Sequence, residues 1–465
     1  MLLNKSLLQL HTHLKSKKIS PTELLRESFS QIDRLNPKLN AFITQNDREK
    51  LLKISAKTKI SSPLSGIPYV LKDAYLTKDL RTTAASNVLR NYVPPYSATL
   101  VKSLEKSGAL LLGKTNQDAW GHGASTENTD FGPSRNPWDL SRVAGGSSGG
   151  VAISVSTRMS AFGIGEDTGG SIRNPAGWCG ISGLKVTYGR VSRYGAIAYA
   201  SSLDTMGPMA KSVEDLAVVL NAIAGQDPHD ATSSPKPVPD YLSGISSGVK
   251  DKIFGIPKEF FQEGLDSQTK KSVLAAAKHF ESMGAKIDDS VSLPSLRFGV
   301  AVYYLLAPSE TSSNLARYDG IRYGHDRSNF TFETMRRIMI GTFALSSGYY
   351  DAYYKRSLQA RTKIIQEYQA AFSKCDFLLS PISPSSATKL GELINDPIKN
   401  MLADAYTVTV NTAGIPALAI PCGFTSNHLP IGLQIQGPMF CESSLFQAGH
   451  AYQQTTTWHL QKPNL

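Results

Sequence analysis

Two serine clusters packed with glycine hold the most chemistry in this chain: Gly145-Gly146-Ser147-Ser148-Gly149-Gly150 and Asp167-Thr168-Gly169-Gly170-Ser171. Glycine lets backbone approach a ligand closely and lets successive N–H groups converge on one point. A serine ending such a run can attack a carbonyl while neighbouring N–H groups hold the oxyanion. Flexible loops and phosphate cradles are the other uses of such clusters. The phosphate readings fail on detail. No lysine follows either cluster as a P-loop requires. Gly163-Ile164-Gly165-Glu166-Asp167-Thr168 puts threonine at the third glycine of a dinucleotide fingerprint, and its two carboxylates repel a pyrophosphate. Gly145 to Gly149 also fits the G-x-S-x-G elbow of α/β-hydrolases, but none of the late histidines, His428, His450 and His459, has an evident acidic partner. Ser182-Gly183-Leu184-Lys185 fits S-x-x-K, with S-D-N and K-T-G both missing.

The third element lies upstream. Ser65 to Asp73 reads as a turn, a short apolar strand and a lysine, Lys72, at its end. A lysine at the end of a buried strand is desolvated, which moves its pKa towards neutrality and makes it a base. Lys72 precedes Ser147 by 75 residues, and Ser171 follows Ser147 by 24. The run G-I-G-E-D-T-G-G-S-I-R-N-P-A-G-W-C-G-I-S-G-L-K-V-T-Y-G-R-V-S-R-Y-G, residues 163–195, resembles the amidase signature family, whose site is a Ser–cisSer–Lys triad. The resemblance implies Ser171 as nucleophile, Ser147 as the bridging serine after a cis peptide, and Lys72 as base. It also implies an oxyanion hole from the N–H groups of Thr168, Gly169, Gly170 and Ser171.

The elements that must position these residues are those of an α/β protein. Short apolar strands alternate with amphipathic helices, which predicts an α/β sheet covered by helices on both faces; the resemblance implies the amidase-signature fold, with a mixed, twisted central β-sheet. Ser20-Pro-Thr-Glu23 is a capping box opening a helix, with Leu25, Phe29 and Ile32 on one face. Folded structure is therefore expected by about residue 20; Met1–Lys18 is basic and free of acidic residues, somewhat like a transit peptide, but lacks arginine and serine enrichment. Ser97 is read as the cap of a helix ending at Gly108, and Ser212 as the cap of another. The chain reads as one domain: an N-terminal helical segment (1–62), a signature core (63–225), a Pro/Ser/Asp-rich loop (226–250), and a second half (251–465) that completes the sheet and substrate pocket. That half holds strands near 253–256, 287, 377–379, 417–420 and 433–435 and a long helix from 350 to 372.

At 465 residues, 41% hydrophobic and 19% charged, the composition is that of an ordinary globular enzyme, and no apolar run spans a bilayer. Cys179, Cys375, Cys422 and Cys441 lie far apart, so neither a disulfide framework nor a zinc site is indicated. The net charge of +11 is spread along the chain rather than gathered into a nucleic-acid patch.

Segments 302–324, 336–355 and 404–423 resemble the A subunits of glutamyl-tRNA(Gln) amidotransferases. That resemblance implies glutamine hydrolysis, with Arg337 on the α-carboxylate, Asp404 on the α-amine and Tyr303 as a further pocket contact. Arg337 precedes an apolar helix in this reading, and Asp404 opens a strand-like run. The resemblance also implies a B subunit that binds ATP and Mg and amidates the misacylated tRNA, a small third subunit, and no cofactor or metal in this chain. tRNA is expected mainly on the partner. His122 stands where the family carries methionine, and is read as packing or polar lining. Glu166 stands where it carries a small or hydroxyl residue. The segment after Gly324 is shorter than in bacterial relatives, and the chain is more basic. These departures point to a mitochondrial matrix protein, with a bacterial cytoplasm as the alternative. A stand-alone amidase acting on a small or fatty amide and a non-enzymatic scaffold are the competing functions. The intact Lys72–Ser147–Ser171 set argues against the scaffold.

Overall fold

A computed structural model describes residues 1–465. Its strands are β1 (Phe42–Gln45), β2 (Pro68–Lys72), β3 (Leu110–Thr115), β4 (Arg135–Asn136), β5 (Asp139–Val143), β6 (Phe162–Asp167), β7 (Ser182–Lys185), β8 (Thr205–Ala210), β9 (Ile253–Gly255), β10 (Lys286–Asp288), β11 (Phe377–Pro381), β12 (Ala417–Phe424) and β13 (Pro430–Gln436). Eleven of them form one mixed sheet in the order β1-β3-β2-β6-β8-β7-β12-β13-β11-β9-β10, and β4 and β5 pair separately. β2 lies parallel between β3 and β6, and β7 joins the two halves of the chain through antiparallel pairing with β12.

Period-2 alternation splits the strand side chains between two cores. Tyr69 and Leu71 of β2 and Leu418 and Ile420 of β12 enter the larger core. It also holds residues of the helices Thr99–Lys106, Val213–Ile223, Ser267–Ser282 and Glu442–Thr455. Val70 and Ala419 enter the other core, with the helices Pro21–Leu39, Gly149–Ser156 and Arg173–Cys179. Helices therefore cover both faces, as the alternating pattern predicts. Lys72 shares the parity of Val70, which puts it on the side of the helices that begin just after the two serine clusters.

The N-terminal segment carries a further helix ahead of the one read from the Ser20 box. Ser6 and Gln9 form a capping box for a helix Leu7–Lys15, and Leu3, Leu7, Leu10 and Leu14 are buried in the larger core. Lys211 Nζ donates to Leu3 O at 2.7 Å, and Leu7 N–H donates to Asp215 Oδ1 at 2.7 Å. Folded structure thus begins before residue 20, within the expected bound, and the segment of transit-peptide-like composition contributes to the core. The Ser20 capping box forms as expected, although its helix continues through Pro37 to Leu39. Ser97 is not a cap: its hydroxyl accepts Lys78 N–H, and the helix Thr99–Lys106 begins after Ala98. Residues 224–252 form no helix or strand, yet Tyr241, Ile245 and Val249 are buried in the larger core, so the stretch packs onto the sheet. The long helix runs from Arg356 to Phe372, after one π-helical turn at Asp351–Lys355.

Candidate active site

Lys72 ends β2 with its side chain 1% exposed, and its Nζ donates to Ser147 Oγ at 2.7 Å. Ser147 is fully buried, and the peptide joining it to Gly146 is cis. The turn is held from several sides. Ser147 O accepts Asp118 N–H at 3.3 Å, and Asp118 in turn takes the N–H groups of Thr126 and Asn128. Burial lifts the Asp118 carboxyl to about 7. A side chain at 146 would not fit, since a Cβ there would overlap Asp118 Oδ2 and lie 2.6 Å from Ser125 N. Ser148 N–H donates to Ser171 O at 3.1 Å and ties the second cluster to the first. The structure brings Lys72, Ser147 and Ser171 to one place, with Ser171 retaining 7% exposure. No hydrogen bond joins the two hydroxyls of Ser147 and Ser171.

The second cluster is braced by a buried ion pair that no motif in the sequence flags. Arg173 opens a helix and reaches back to Asp167, the last residue of β6, with Nε–Oδ2 at 3.0 Å and Nη2–Oδ1 at 2.8 Å. Both are fully buried, and Asn411 and Gln434 occupy the remaining guanidinium positions. Burial alone would raise the Asp167 carboxyl, but Arg173 and Lys185 bring it down to about 2, so it stays ionised. That carboxylate claims one of the four expected oxyanion donors: Gly170 N–H donates to Asp167 Oδ1 at 2.9 Å. The N–H groups of Thr168, Gly169 and Ser171 have no partner within the chain. Three N–H groups of this loop are therefore free for a ligand, and Gly170 serves the scaffold.

Tyr303, Arg337 and Asp404 gather beyond this loop. Arg337 lies inside the helix Phe332–Leu345, not ahead of one, and the run after Asp404 folds as the helix Val408–Ala413, not as a strand. Arg337 is 2% exposed, donates Nε to Glu333 Oε1 at 2.7 Å and Nη1 to the Tyr199 hydroxyl, and leaves Nη2 without a partner. Its guanidinium stacks on the rings of Tyr199 and Tyr304. Tyr304 OH donates to Asp404 Oδ2 at 3.0 Å, and Tyr303 OH to Tyr199 OH at 3.2 Å. Burial pushes the Asp404 carboxyl up to about 7, against the pull of Arg337. Tyr199, Tyr304 and Glu333 carry no motif that would single them out in the sequence. His122 is fully buried with Nδ1 3.1 Å from Thr334 Oγ1 and its ring edge-on to Tyr199. Burial and the nearby cations Arg337 and Lys72 hold it neutral, as suits polar lining.

This arrangement can take a proton from Ser171 through Ser147 to Lys72, hold an oxyanion, and receive a ligand carrying one anionic and one cationic group. Known proteins carry the same frame. Residues 23–446 match the family model described as Amidase. The chain is 47% identical over 474 residues to the A subunit of glutamyl-tRNA(Gln) amidotransferase from Carboxydothermus hydrogenoformans, with 97% of each chain covered. The A subunit of the Thermotoga maritima glutamyl-tRNA(Gln) amidotransferase has a solved structure similar to this one at a TM-score of 0.84 and 40% identity, over 95% of this chain and 94% of that one. A 6-aminohexanoate cyclic dimer hydrolase is similar at a TM-score of 0.89 and 25% identity, over 99% of both chains.

Proposed function

We propose a function from one premise: the chain belongs to the amidase signature family. It is the glutamine-hydrolysing A subunit of a tRNA-dependent amidotransferase, and it supplies the ammonia that converts Glu-tRNA(Gln) to Gln-tRNA(Gln). Identity of 47% and 40% to the amidotransferase relatives, against 25% to the cyclic dimer hydrolase, supports this reading over a stand-alone amidase acting on a small or fatty amide. The observation that carries glutamine as the substrate is the pair Arg337 and Asp404, opposite charges buried on either side of Tyr304. A pocket for a simple amide has no use for either charge: Asp404 has only the Tyr304 hydroxyl as a side-chain partner, and Arg337 keeps Nη2 unpartnered beside its pair with Glu333.

The geometry supports a two-step acyl transfer. Lys72 Nζ accepts the Ser147 proton as Ser147 accepts that of Ser171, and Ser171 Oγ attacks the side-chain carboxamide of glutamine. The Ser147–Ser171 link closes as substrate seats, since catalytic hydrogen bonds tighten in the bound complex. N–H groups of Thr168, Gly169 and Ser171 face the developing oxyanion. Collapse expels ammonia with the relayed proton, and water then frees glutamate from Ser171. Because ammonia must reach an acceptor, a B subunit carries ATP, Mg and the tRNA, and a small third subunit completes the assembly. The word amidotransferase in the relatives' names supports such a complex. So does the helix Phe332–Leu345, which exposes Phe332, Met335, Met339 and Phe343 on its outer side. The relatives are bacterial, which supports a bacterial cytoplasm; nothing in them supports the mitochondrial matrix. No helix is long and apolar enough to cross a membrane.

The test is Ser171→Ala in the assembled complex. Glutamine-dependent amidation should vanish while ammonia-dependent amidation persists, because only the ammonia source resides here. Loss of both activities from an intact complex would remove this role.

A further inference from the structure

The Lys72 amine touches a carboxylate that the acyl-transfer scheme leaves unused. Glu166, the penultimate residue of β6, is 1% exposed, and its Oε2 accepts from Lys72 Nζ at 3.2 Å, while Ser147 Oγ takes the same nitrogen at 2.7 Å. Its other oxygen, Oε1, is buried without a partner. We infer that Glu166 is a positioning residue for Lys72, fixing Nζ against Ser147 and stabilising the ammonium that forms when the serine relay delivers its proton. The inference rests on the proposed serine relay.

The charges decide the direction. As Ser171 attacks, one proton moves to Ser147 and the Ser147 proton moves to Nζ, so a buried cation appears 3.2 Å from Oε2. A carboxylate there stabilises that cation through a charge-assisted hydrogen bond. The same carboxylate also faces Nζ in the resting enzyme, so deleting its charge acts on both states of the relay. The other groups around the pair are Asp167 beside Glu166, Tyr75 and Asp204 against β6, and Asp118 and His122 near Lys72. Burial raises the Glu166 carboxyl and Lys72 draws it back down, while burial and the Glu166 charge push Asp204 up to about 8. Asp204 borders a cavity of about 540 Å³.

Glu166→Gln keeps an acceptor for Nζ and deletes the charge. In the holo-complex, the plateau rate of glutamine hydrolysis should fall about ten- to a hundredfold, the worth of one charge-assisted hydrogen bond. The acid limb of the rate–pH profile should move about one unit or more to lower pH. Glu166→Ser, which removes the carboxylate and leaves room for water, should shift the limb the same way and serves if the glutamine variant folds poorly. The pH dependence of Ser171 labelling by a phosphonylating serine probe should shift in parallel, and needs no glutamine. Wild-type labelling of Ser171 without glutamine turnover would count against the glutaminase reading alone. A folded Glu166 variant whose labelling and hydrolysis limbs stay at the wild-type pH overturns the role of Glu166, because a purely structural loss lowers the rate equally at every pH.

Discussion

Tyr303 lies directly against Gly169: a Cβ built on Gly169 would meet Tyr303 Cζ at 2.5 Å. The contact links two parts of the site that the sequence keeps far apart. Tyr303 OH donates to Tyr199 OH, and the same Tyr199 hydroxyl accepts from Arg337. The loop that would hold the oxyanion is therefore braced by the residues that would hold glutamine, and Gly169 can approach them only because it lacks a side chain.

Gly169→Ala should force the ring or the loop aside and misaim the Gly169 N–H. Losing one oxyanion donor costs about 10²–10³ in rate, so the kcat of glutamine hydrolysis should fall by that factor with ammonia-dependent amidation unchanged. Turnover within a few-fold of wild type would show that the Gly169 N–H does not face the reacting oxygen.

Lys72→Ala and Ser147→Ala should each remove most of the glutaminase rate, about 10³-fold or more, and combining either with Ser171→Ala should cost little further. Residues acting as one relay are non-additive in this way. The 2.7 Å contact between Lys72 and Ser147 motivates the test. Near-normal turnover in Ser147→Ala would reduce Ser147 to a packing residue.

The triad was legible because its chemistry needs unusual local sequence. Glycine runs beside serine and a lysine ending an apolar strand survive as patterns in the chain, and the structure brings all three residues together. Elements held by tertiary contacts were harder to read. The Val408–Ala413 segment is rich in β-branched residues and looks like a strand, but buried packing overrides that preference, and Thr412 Oγ1 bonds back to Val408 O within the helix. Arg337 was misplaced because its helix cap, Thr331, sits between Phe330 and Phe332, just after the polar stretch from His325 to Asn329. The Ser6–Gln9 box was present in the sequence and was obscured by the basic residues after it. Tyr199 and Glu333 act only through long-range contacts with Arg337, which no local pattern records.

Arg337→Lys should raise the glutamine KM sharply while preserving charge. Nε serves Glu333 and one Nη1 N–H serves Tyr199, so the second Nη1 N–H and the unpartnered Nη2 remain for a two-point grip on a carboxylate. One ammonium cannot hold Glu333, Tyr199 and substrate in that fan. Disrupting a desolvated charge contact costs about 2–5 kcal/mol, which is roughly 30-fold or more in KM. Amides lacking both charged groups should be insensitive. An unchanged glutamine KM would remove the reason for preferring glutamine to a simple amide.

Asp404 should make glutamine binding depend on pH near neutrality. Burial raises its carboxyl to about 7, so it is mostly ionised above that pH and mostly protonated below it. Only the carboxylate attracts the α-ammonium of glutamine, which stays protonated throughout this range. The sign follows: KM should be low above pH 7 and should rise about tenfold for each unit below it, while ligand binding itself draws the carboxyl pKa down. The Lys72–Glu166 pair acts on the chemical step, so its limb belongs to kcat, and comparing KM with kcat across pH separates the two groups. Asp404→Asn should raise KM at every pH and abolish its acid rise. A KM that stays flat from pH 8 to pH 5.5 in the wild-type complex would show that Asp404 does not hold the substrate ammonium.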